Sequence, residues 1–279
     1  MDLTALSVIK ALCLKYGFRH VKSRGQNFLI DGAPLGAVIG AADLCPDDVV
    51  LEIGPGLGGL TQELAPRVKK VIAVELDYGL VAALQDILSS FHNIEIVQGD
   101  ILKLSTFNFQ LSTVSYKLVA NLPYNITSAV LRKFLSEEPK PSLMVVMVQK
   151  EVAERICARP GDMSLLSVSV QYYGVPEIVA QVPRSSFWPT PKVDSAVVKI
   201  TLTPGNVQGV NRYDTCHSRK IITGIIPVNP LVDPARARDD FFFRLVRAGF
   251  AARRKQLKNN LATAFKLPPV KIEEFFQSL

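Results

Sequence analysis

Short apolar runs alternate with helical patterns through most of the first 150 residues. The runs are five to seven residues long and rich in β-branched side chains. They lie at 49–54, 71–76, 94–98, 117–121 and 143–149, and helical stretches lie near 59–66, 78–89, 127–136 and 150–158. Continuous apolar strands joined by helical crossovers predict a mostly parallel, doubly wound sheet of the α/β class, with both faces covered.

Further elements flank this alternation. Helical periodicity at 3–15 and 33–43 precedes it, and strands at 177–182 and 195–202 follow it. The intervening "VPRSSFWPTPKVD" is rich in proline and predicts irregular structure.

The pattern changes after residue 203. Residues 204–230 lack periodicity, and "PVNPLVDPARARDD" is polar and turn-rich. A helical pattern returns over 241–265, and a short amphipathic segment follows. We therefore predict an α/β domain over 1–203, and a linker with a small all-helical domain over 204–279.

Composition excludes several classes of protein. The 279 residues are 48% hydrophobic and 20% charged, as in a globular protein. No apolar run approaches the roughly 20 residues of a membrane helix, and the amphipathic start does not resemble a signal peptide. The four cysteines are scattered without a CxxC pair, which argues against a zinc site and fits a reducing cytoplasm.

Positive charge is concentrated near the C-terminus. The net charge is +7, and the stretch "RLVRAGFAARRKQLK" contains no acid. Its cations are Arg244, Arg247, Arg253, Arg254, Lys255 and Lys258. This concentration favours a nucleic-acid contact over a merely solvated helix face.

A glycine-rich turn follows the first strand of the alternation. "VVLEIGPGLGGLT" places Gly54, Gly56 and Gly59 between a strand and a helix, and Glu75 follows about 20 residues later. Glycines permit a sharp turn and a close ligand, and such an acid accepts ribose hydroxyls. This spacing also permits a nicotinamide cofactor, although no partner for hydride transfer is evident.

Two further acids distinguish between the possible ligands. Glu52 precedes the glycine turn, and an acid there favours the cationic S-adenosylmethionine over a pyrophosphate, which prefers an unobstructed helix N-terminus. Asp100, in "QGDIL", follows the third strand, where a carboxylate can accept from an adenine amino group.

The fourth strand ends in "NLPY". In a doubly wound sheet, ligands bind at the carboxyl ends of strands. The Asn121 side-chain oxygen and the carbonyl of Leu122 or Pro123 could accept hydrogen bonds from an exocyclic amine and orient it for methyl transfer, without a metal. Tyr124 could stack on an extruded base, which costs a few kcal/mol to extrude. A second ring is then expected, with Phe187 the first candidate and Trp188 the second.

The chain resembles the ribosomal RNA adenine N6,N6-dimethyltransferases over roughly 20–202. The motifs that carry the resemblance, in order, are "GQNFLID", "EIGPGLGGLT", "VIAVELD", "GDIL", "NLPYNI", "QKEVAERI" and "FWPTPKVDSAVVKI". Within this family it is most similar to the bacterial 16S rRNA enzymes. The resemblance implies a Rossmann-like class I methyltransferase that uses S-adenosylmethionine. Its implied substrate is two adjacent adenines near the 3′ end of 16S rRNA in the small ribosomal subunit, each methylated twice during ribosome biogenesis.

The same resemblance implies roles for individual residues. Cofactor contacts are expected from Asn27, Leu29, Gly54, Gly56, Glu75, Asp100 and Asn121, with Gln26 and Asp77 as weaker candidates. The adenine is expected to contact Asn121, Leu122, Pro123, Tyr124 and Phe187. From the concentration of positive charge, and not from the resemblance, RNA contacts are expected from Arg247, Arg253, Arg254, Lys255 and Lys258. A cytoplasmic monomer without metal is expected.

The sequence departs from the family pattern in three places. "MSLLSV" at 163–168 replaces an expected aromatic-Gly-Arg, the segment 204–230 is long, and a shortened C-terminal domain is expected. The alternatives are a 23S rRNA dimethyltransferase that gives macrolide resistance, and an assembly factor with weak turnover. A DNA adenine methyltransferase is disfavoured because its Asp/Asn-Pro-Pro-aromatic tetrad is absent.

Overall fold

A seven-stranded sheet forms the centre of the molecule. The computed structural model describes residues 1–18, 27–105, 111, 115–202, 234–251 and 257–277. In these ranges the strands are β1 (Phe28–Leu29), β2 (Val49–Ile53), β3 (Lys70–Glu75), β4 (Ile94–Gln98), β5 (Tyr116–Asn121), β6 (Leu143–Gln149), β7 (Gly174–Val182), β8 (Phe187–Trp188) and β9 (Ser195–Leu202).

The sheet is mostly parallel, as predicted. Its order is β4-β3-β2-β5-β6-β9-β7, and the first five strands of this order are parallel. Strand β9 lies antiparallel to both β6 and β7. The order reverses direction beside β2, so the carboxyl ends of β2 and β5 meet at the switch point where α/β sheets bind ligands.

Helices cover both faces of the sheet. In the described ranges they are α1 (Leu6–Lys15), α2 (Gly32–Ala41), α3 (Gly59–Leu64), α4 (Tyr78–Ile87), α5 (Thr127–Ser136), α6 (Lys150–Ile156), α7 (Leu165–Tyr173), α8 (Pro234–Phe250), α9 (Leu257–Phe265) and α10 (Pro269–Gln277). Neighbouring strand residues belong to cores on opposite faces, with Val50 in one and Leu51 in the other. The continuous apolar runs therefore result from burial on both sides.

The structure corrects three predictions about local structure. Helix α7 was not predicted; the Ser164 hydroxyl accepts from the Ser167 amide at 3.3 Å in a capping box that begins it. The proline-rich segment is not wholly irregular, because β8 pairs with β1. Helix α8 begins at Pro234, inside the region predicted to be turns; proline fits the first helical turn because it needs no intrahelical amide bond there.

Aromatic contacts join α7 to the C-terminal helices. The Tyr172 and Tyr173 hydroxyls donate to the two carboxylate oxygens of Asp239, at 2.8 and 3.2 Å. The Tyr172 ring stacks on Phe242 with 4.2 Å between centroids, and the Tyr173 ring stacks on Phe243 at 5.7 Å. Helix α8 is thus held against the sheet domain by polar and apolar contacts together.

Candidate active site

A cavity of about 260 Å³ opens at the carboxyl ends of β2, β3 and β5. The cofactor and adenine residues predicted from sequence line it, with two exceptions: Gln26 lies outside the described residues, and Trp188, the second stacking candidate, does not line the cavity. Those that line it are Asn27, Leu29, Gly54, Gly56, Glu75, Asp100, Asn121, Leu122, Pro123, Tyr124 and Phe187. Residues that are far apart in sequence therefore surround one volume.

The glycine turn forms one wall of this cavity. Gly54 and Gly56 have φ angles of +68° and +63°, which side-chain-bearing residues rarely adopt. A Cβ at Gly54 would lie 3.5 Å from the ring of Pro123, and one at Gly56 would lie 3.4 Å from the ring of Phe28. The turn therefore packs directly against the "NLPY" segment on one side and β1 on the other.

Glu75 is held at the end of β3 by two backbone amides. Its carboxylate accepts from the Gly56 amide at 3.3 Å and from the Asp77 amide at 3.0 Å. Only 5% of the residue is exposed, and burial raises the pKa of the Glu75 carboxyl above its usual value. Asp77 itself caps helix α4 by accepting from the Gly79 amide at 2.8 Å. Its carboxylate thus has a local structural role beside the cavity.

Glu52 is buried at the same end of the sheet without a hydrogen-bond partner for Oε2. Burial raises the pKa of the Glu52 carboxyl to about 8, and the charge of Glu75 contributes in the same direction. The Thr61 hydroxyl lies near enough to lower this pKa in part, but it does not reach hydrogen-bond geometry. Glu52 lines the cavity although only 1% of the residue is exposed, so its carboxyl lies close to any ligand bound there.

Asp100 stands beyond the end of β4. Its carboxylate accepts from the Leu102 amide at 3.0 Å, and the Lys103 ammonium lies 3.8 Å away. The side chain is 33% exposed, and the residue lines the cavity. The hydrogen bond from the Leu102 amide therefore fixes the Asp100 carboxylate and leaves it accessible to a ligand.

The "NLPY" segment leaves the sheet between β5 and β6. The Leu122 amide donates to Met147 at 3.1 Å, which extends the pairing of the two strands. The Pro123 carbonyl accepts from the Ile126 amide at 3.1 Å and from the Thr127 hydroxyl at 3.3 Å. Both lone pairs of that carbonyl are therefore engaged at the start of α5.

Phe187 is buried rather than presented on the surface. It is 1% exposed, belongs to the core with Leu35 and Val38, and lines the cavity wall. Trp188 is half-buried, and the Lys10 ammonium lies 5.8 Å from its ring centroid. The pairing of β1 with β8 brings these two aromatic residues beside Leu29.

A side-chain bond strengthens the link between β1 and β8. The Ser186 hydroxyl donates to Asp31 at 2.8 Å, and the Ile30 amide donates to the Ser186 carbonyl at 2.8 Å. The other Asp31 oxygen caps α2 by accepting from Ala33 at 2.9 Å. The segment that contains Asn27 and the segment that contains Phe187 are therefore fixed to each other.

The predicted basic patch is described only in part. Arg253, Arg254 and Lys255 lie outside the described residues. The Arg247 guanidinium is exposed and donates to the Phe243 carbonyl at 3.0 Å. The Lys258 ammonium forms an ion pair with Glu273, so part of its charge is already neutralised.

Sequence reasoning missed several residues around the cavity. Leu3 and Thr4 line it from the N-terminal segment, and Thr127 and Ser195 bond to the "NLPY" segment. Ser195 lies inside the "FWPTPKVDSAVVKI" motif, but no local signal connects it with Tyr124, 71 residues earlier.

Neither a metal centre nor a membrane span was found where the chain is described. Across those ranges, no cluster of His, Cys, Asp and Glu could hold a metal ion. The helices within them are too short or too polar to cross a bilayer.

The sheet order and the glycine-lined, acidic cavity define a class I methyltransferase with a Rossmann-like fold. The family model described as "Ribosomal RNA adenine dimethylase" matches residues 17–223. The chain belongs to this family of enzymes, which use S-adenosylmethionine to methylate ribosomal RNA.

Individual relatives agree with this assignment. Ribosomal RNA small subunit methyltransferase A of Dehalococcoides mccartyi (strain ATCC BAA-2266 / KCTC 15142 / 195) is 48% identical over 248 residues, covering 88% of this chain and 76% of the relative. A dimethyladenosine transferase from Plasmodium falciparum is 29% identical, with a TM-score of 0.64 over 84% of this chain and 74% of that one. The 23S rRNA methyltransferase ErmE is also 29% identical with a TM-score of 0.64, over 89% and 88%.

Proposed function

We propose that this enzyme dimethylates the N6 amines of two adjacent adenines near the 3′ end of 16S rRNA, within the small ribosomal subunit. The 48% identity to a small-subunit methyltransferase across 88% of the chain carries this choice of substrate. The protein acts as a cytoplasmic monomer in ribosome biogenesis. Its α/β domain at 1–203 performs the chemistry, and its helical domain at 204–279 contacts RNA.

The cavity has the chemical groups that S-adenosylmethionine requires. When bound, this cofactor supplies an electrophilic methyl group on a cationic sulfonium. The turn at Gly54 and Gly56 leaves room that a Cβ would occupy, and a cationic ligand would favour ionisation of the buried Glu52 carboxyl, whose pKa burial raises. Glu75 accepts from ribose hydroxyls, and Asp100 accepts from the adenine amino group of the cofactor. Asn27, Leu29 and Asn121 complete the contacts.

The target adenine is held by the "NLPY" segment. The Asn121 side-chain oxygen and one backbone carbonyl accept the two hydrogens of the N6 amine. That carbonyl belongs to Leu122, because the Pro123 carbonyl already accepts two hydrogen bonds. The acceptors turn the amine lone pair away from conjugation with the ring, so the nitrogen becomes more nucleophilic. This orientation requires neither a metal nor a strong base.

Stacking holds the base after it leaves its helix. Tyr124 provides one face, from the lining of the cavity. Stacking on one aromatic ring contributes about 1–3 kcal/mol, comparable with the few kcal/mol that extrusion costs. Phe187 contributes from the cavity wall, in which it is buried.

A methyl-transfer assay tests this function. Purified protein is incubated with labelled S-adenosylmethionine and small ribosomal subunits from cells that lack the modification, and the labelled nucleotide is mapped. We expect dimethyladenosine at two adjacent positions near the 3′ end of 16S rRNA. Fully modified subunits are the control and should accept no label. Label in 23S rRNA would instead support the macrolide-resistance reaction, and no transfer to any subunit would contradict an active enzyme.

A further inference from the structure

Tyr124 has a hydrogen-bond partner at the tip of its side chain. Its hydroxyl lies 2.8 Å from the hydroxyl of Ser195, and the residue lines the cavity. Stacking requires only the aromatic ring, so phenylalanine would provide the same π-face. The tyrosine hydroxyl and its partner therefore need a separate explanation.

Ser195 is held rigidly in the sheet. It is the first residue of β9, it is fully buried, and it pairs with Gln149 of β6 on one side and Val182 of β7 on the other. A residue between two paired strands has little freedom to move. The Ser195 hydroxyl therefore has a fixed position beside Tyr124, although the two residues are 71 positions apart in sequence.

Asp194, the residue before Ser195, also helps to hold Ser195 in place. The Asp194 side chain accepts from the Arg184 amide at 2.9 Å, and its carbonyl accepts from the Lys150 amide at 3.0 Å. The loop before β9 is thus attached to the start of α6 and to the segment that leads to Phe187. Ser195 cannot shift without breaking these bonds.

From these contacts, we propose that Ser195 is a positioning residue that holds the ring of Tyr124 in its stacking orientation before the base arrives. Pro123 fixes the backbone end of the side chain, because its ring restricts φ and its carbonyl is bonded to α5. The bond to Ser195 fixes the other end. The inference rests on the proposed function, because it assigns a reason for the tyrosine hydroxyl in that reaction.

Positioning the Tyr124 ring in advance should give a modest but measurable gain in rate. Ordering a mobile side chain on binding costs an amount equivalent to about two- to tenfold in rate or affinity. A ring that is already ordered avoids this cost when the bound base is brought into line with the methyl donor, so the cost falls on kcat. Loss of the bond should therefore lower turnover by about two- to tenfold and leave cofactor affinity unchanged.

A double-mutant cycle tests the role of Ser195. Wild type, Ser195→Ala, Tyr124→Phe and the double variant are compared for kcat and KM on unmodified small subunits, and for the Kd of S-adenosylhomocysteine. We expect each single variant to lose about two- to tenfold in kcat, and the double variant to lose no more than either. The Kd should stay within about twofold, because neither hydroxyl belongs to the cofactor contacts.

Ser167→Ala is the matched control. Ser167 is also a fully buried serine with a hydroxyl partner, Ser164, at 2.9 Å, but it lies in the first turn of α7 and does not line the cavity. Its replacement should lower stability without changing kcat. If Ser167→Ala reduced kcat as much as Ser195→Ala, a general loss of stability would account for both, and the positioning role would be overturned.

Other outcomes separate this inference from the proposed function. Multiplicative losses in the double variant, or an active Ser195→Ala variant with wild-type kcat, would overturn the positioning role alone. Tyr124→Phe provides the same test from the other side of the bond if Ser195→Ala does not fold. A wild-type protein that transfers no methyl group to RNA would overturn the proposed function and this inference with it.

Discussion

Glu52 and Glu75 place two buried carboxyl groups in one cavity, at the ends of adjacent parallel strands. Glu75 is held by two backbone amides, whereas Oε2 of Glu52 has no partner. The charge of Glu75 helps to raise the pKa of Glu52 to about 8. Burial raises the pKa of both carboxyls, and this has consequences for stability and for binding.

Glu52 should lower the stability of the cofactor-free protein as pH rises. Its pKa is near 4.5 when the chain is unfolded and about 8 when it is folded, so the folded state binds more protons between these values. Its destabilising effect is therefore absent below about pH 4.5 and complete above about pH 8. We expect Glu52→Gln to raise the Tm by a few degrees at pH 8, since each kcal/mol of stability corresponds to roughly 2–4 °C. Near pH 5 the same substitution should leave the Tm almost unchanged.

Thermal unfolding of both proteins from pH 5 to pH 8.5 measures this difference. Glu95, an exposed residue of β4 that pairs with Lys70, provides the control Glu95→Gln. A Tm difference for Glu52→Gln that stays constant with pH would contradict a raised pKa.

Glu75→Gln should weaken binding of S-adenosylmethionine. The carboxylate is preorganised by Gly56 and Asp77, and hydrogen bonds to a charged acceptor contribute about 1.5–3 kcal/mol. The expected loss in affinity is therefore about 10- to 100-fold, measured by isothermal titration calorimetry. The Glu95→Gln variant should bind as the wild type does. Equal affinities for all three proteins would remove Glu75 from the cofactor contacts.

Asn121→Ala should nearly abolish methyl transfer and weaken cofactor binding much less, because Asn121 is only one of several cofactor contacts. The amide oxygen orients the target amine, and loss of one such preorganised group costs about 10²- to 10³-fold in kcat. Single-turnover transfer and cofactor affinity are measured on the same preparation. Asn93→Ala is the control. Asn93 directly precedes β4, and its side-chain amide donates to the carbonyls of Ala65 and Val68, away from the cavity. Full transfer by Asn121→Ala would refute the assigned role.

Asp239→Ala should loosen the C-terminal helices. The substitution leaves the hydroxyls of Tyr172 and Tyr173 without their carboxylate partner, which costs about 1–3 kcal/mol. We expect faster hydrogen exchange in α8 and unchanged cofactor affinity. Asp240→Ala, an exposed neighbour, is the control and should exchange as the wild type does. Unchanged exchange in Asp239→Ala would mean that the aromatic contacts alone hold α8.

Replacing a cation of the basic patch should change the salt dependence of RNA binding. Each phosphate contact contributes about one unit to the slope of log affinity against log salt. We expect Arg253→Ala and Arg247→Ala each to flatten the slope by about one unit. Lys258→Ala should have a smaller effect, because Glu273 already pairs with that ammonium. Unchanged slopes for both arginine variants would assign the patch to a solvated helix face.

The local pattern predicted most of the fold, because burial on both faces produces continuous apolar strands. Strands 94–98, 143–149 and 195–202 have the predicted bounds. The hydrophobic pattern did not predict the helix starts that depend on a particular residue type. Helix α7 depends on a serine capping box, and α8 begins at a proline within a turn-rich sequence.

The sequence by itself determined the chemistry at the ends of the strands. Gly54, Glu75, Asp100 and Asn121 each follow or end a strand, and parallel strands bring their carboxyl ends to one edge. Only the tertiary structure decided the contacts that connect distant segments. Ser186 meets Asp31 across 155 positions, and Ser195 meets Tyr124 across 71. Hydrophobic periodicity indicates whether a residue is buried. Which residue its side chain contacts depends instead on how whole helices and strands pack.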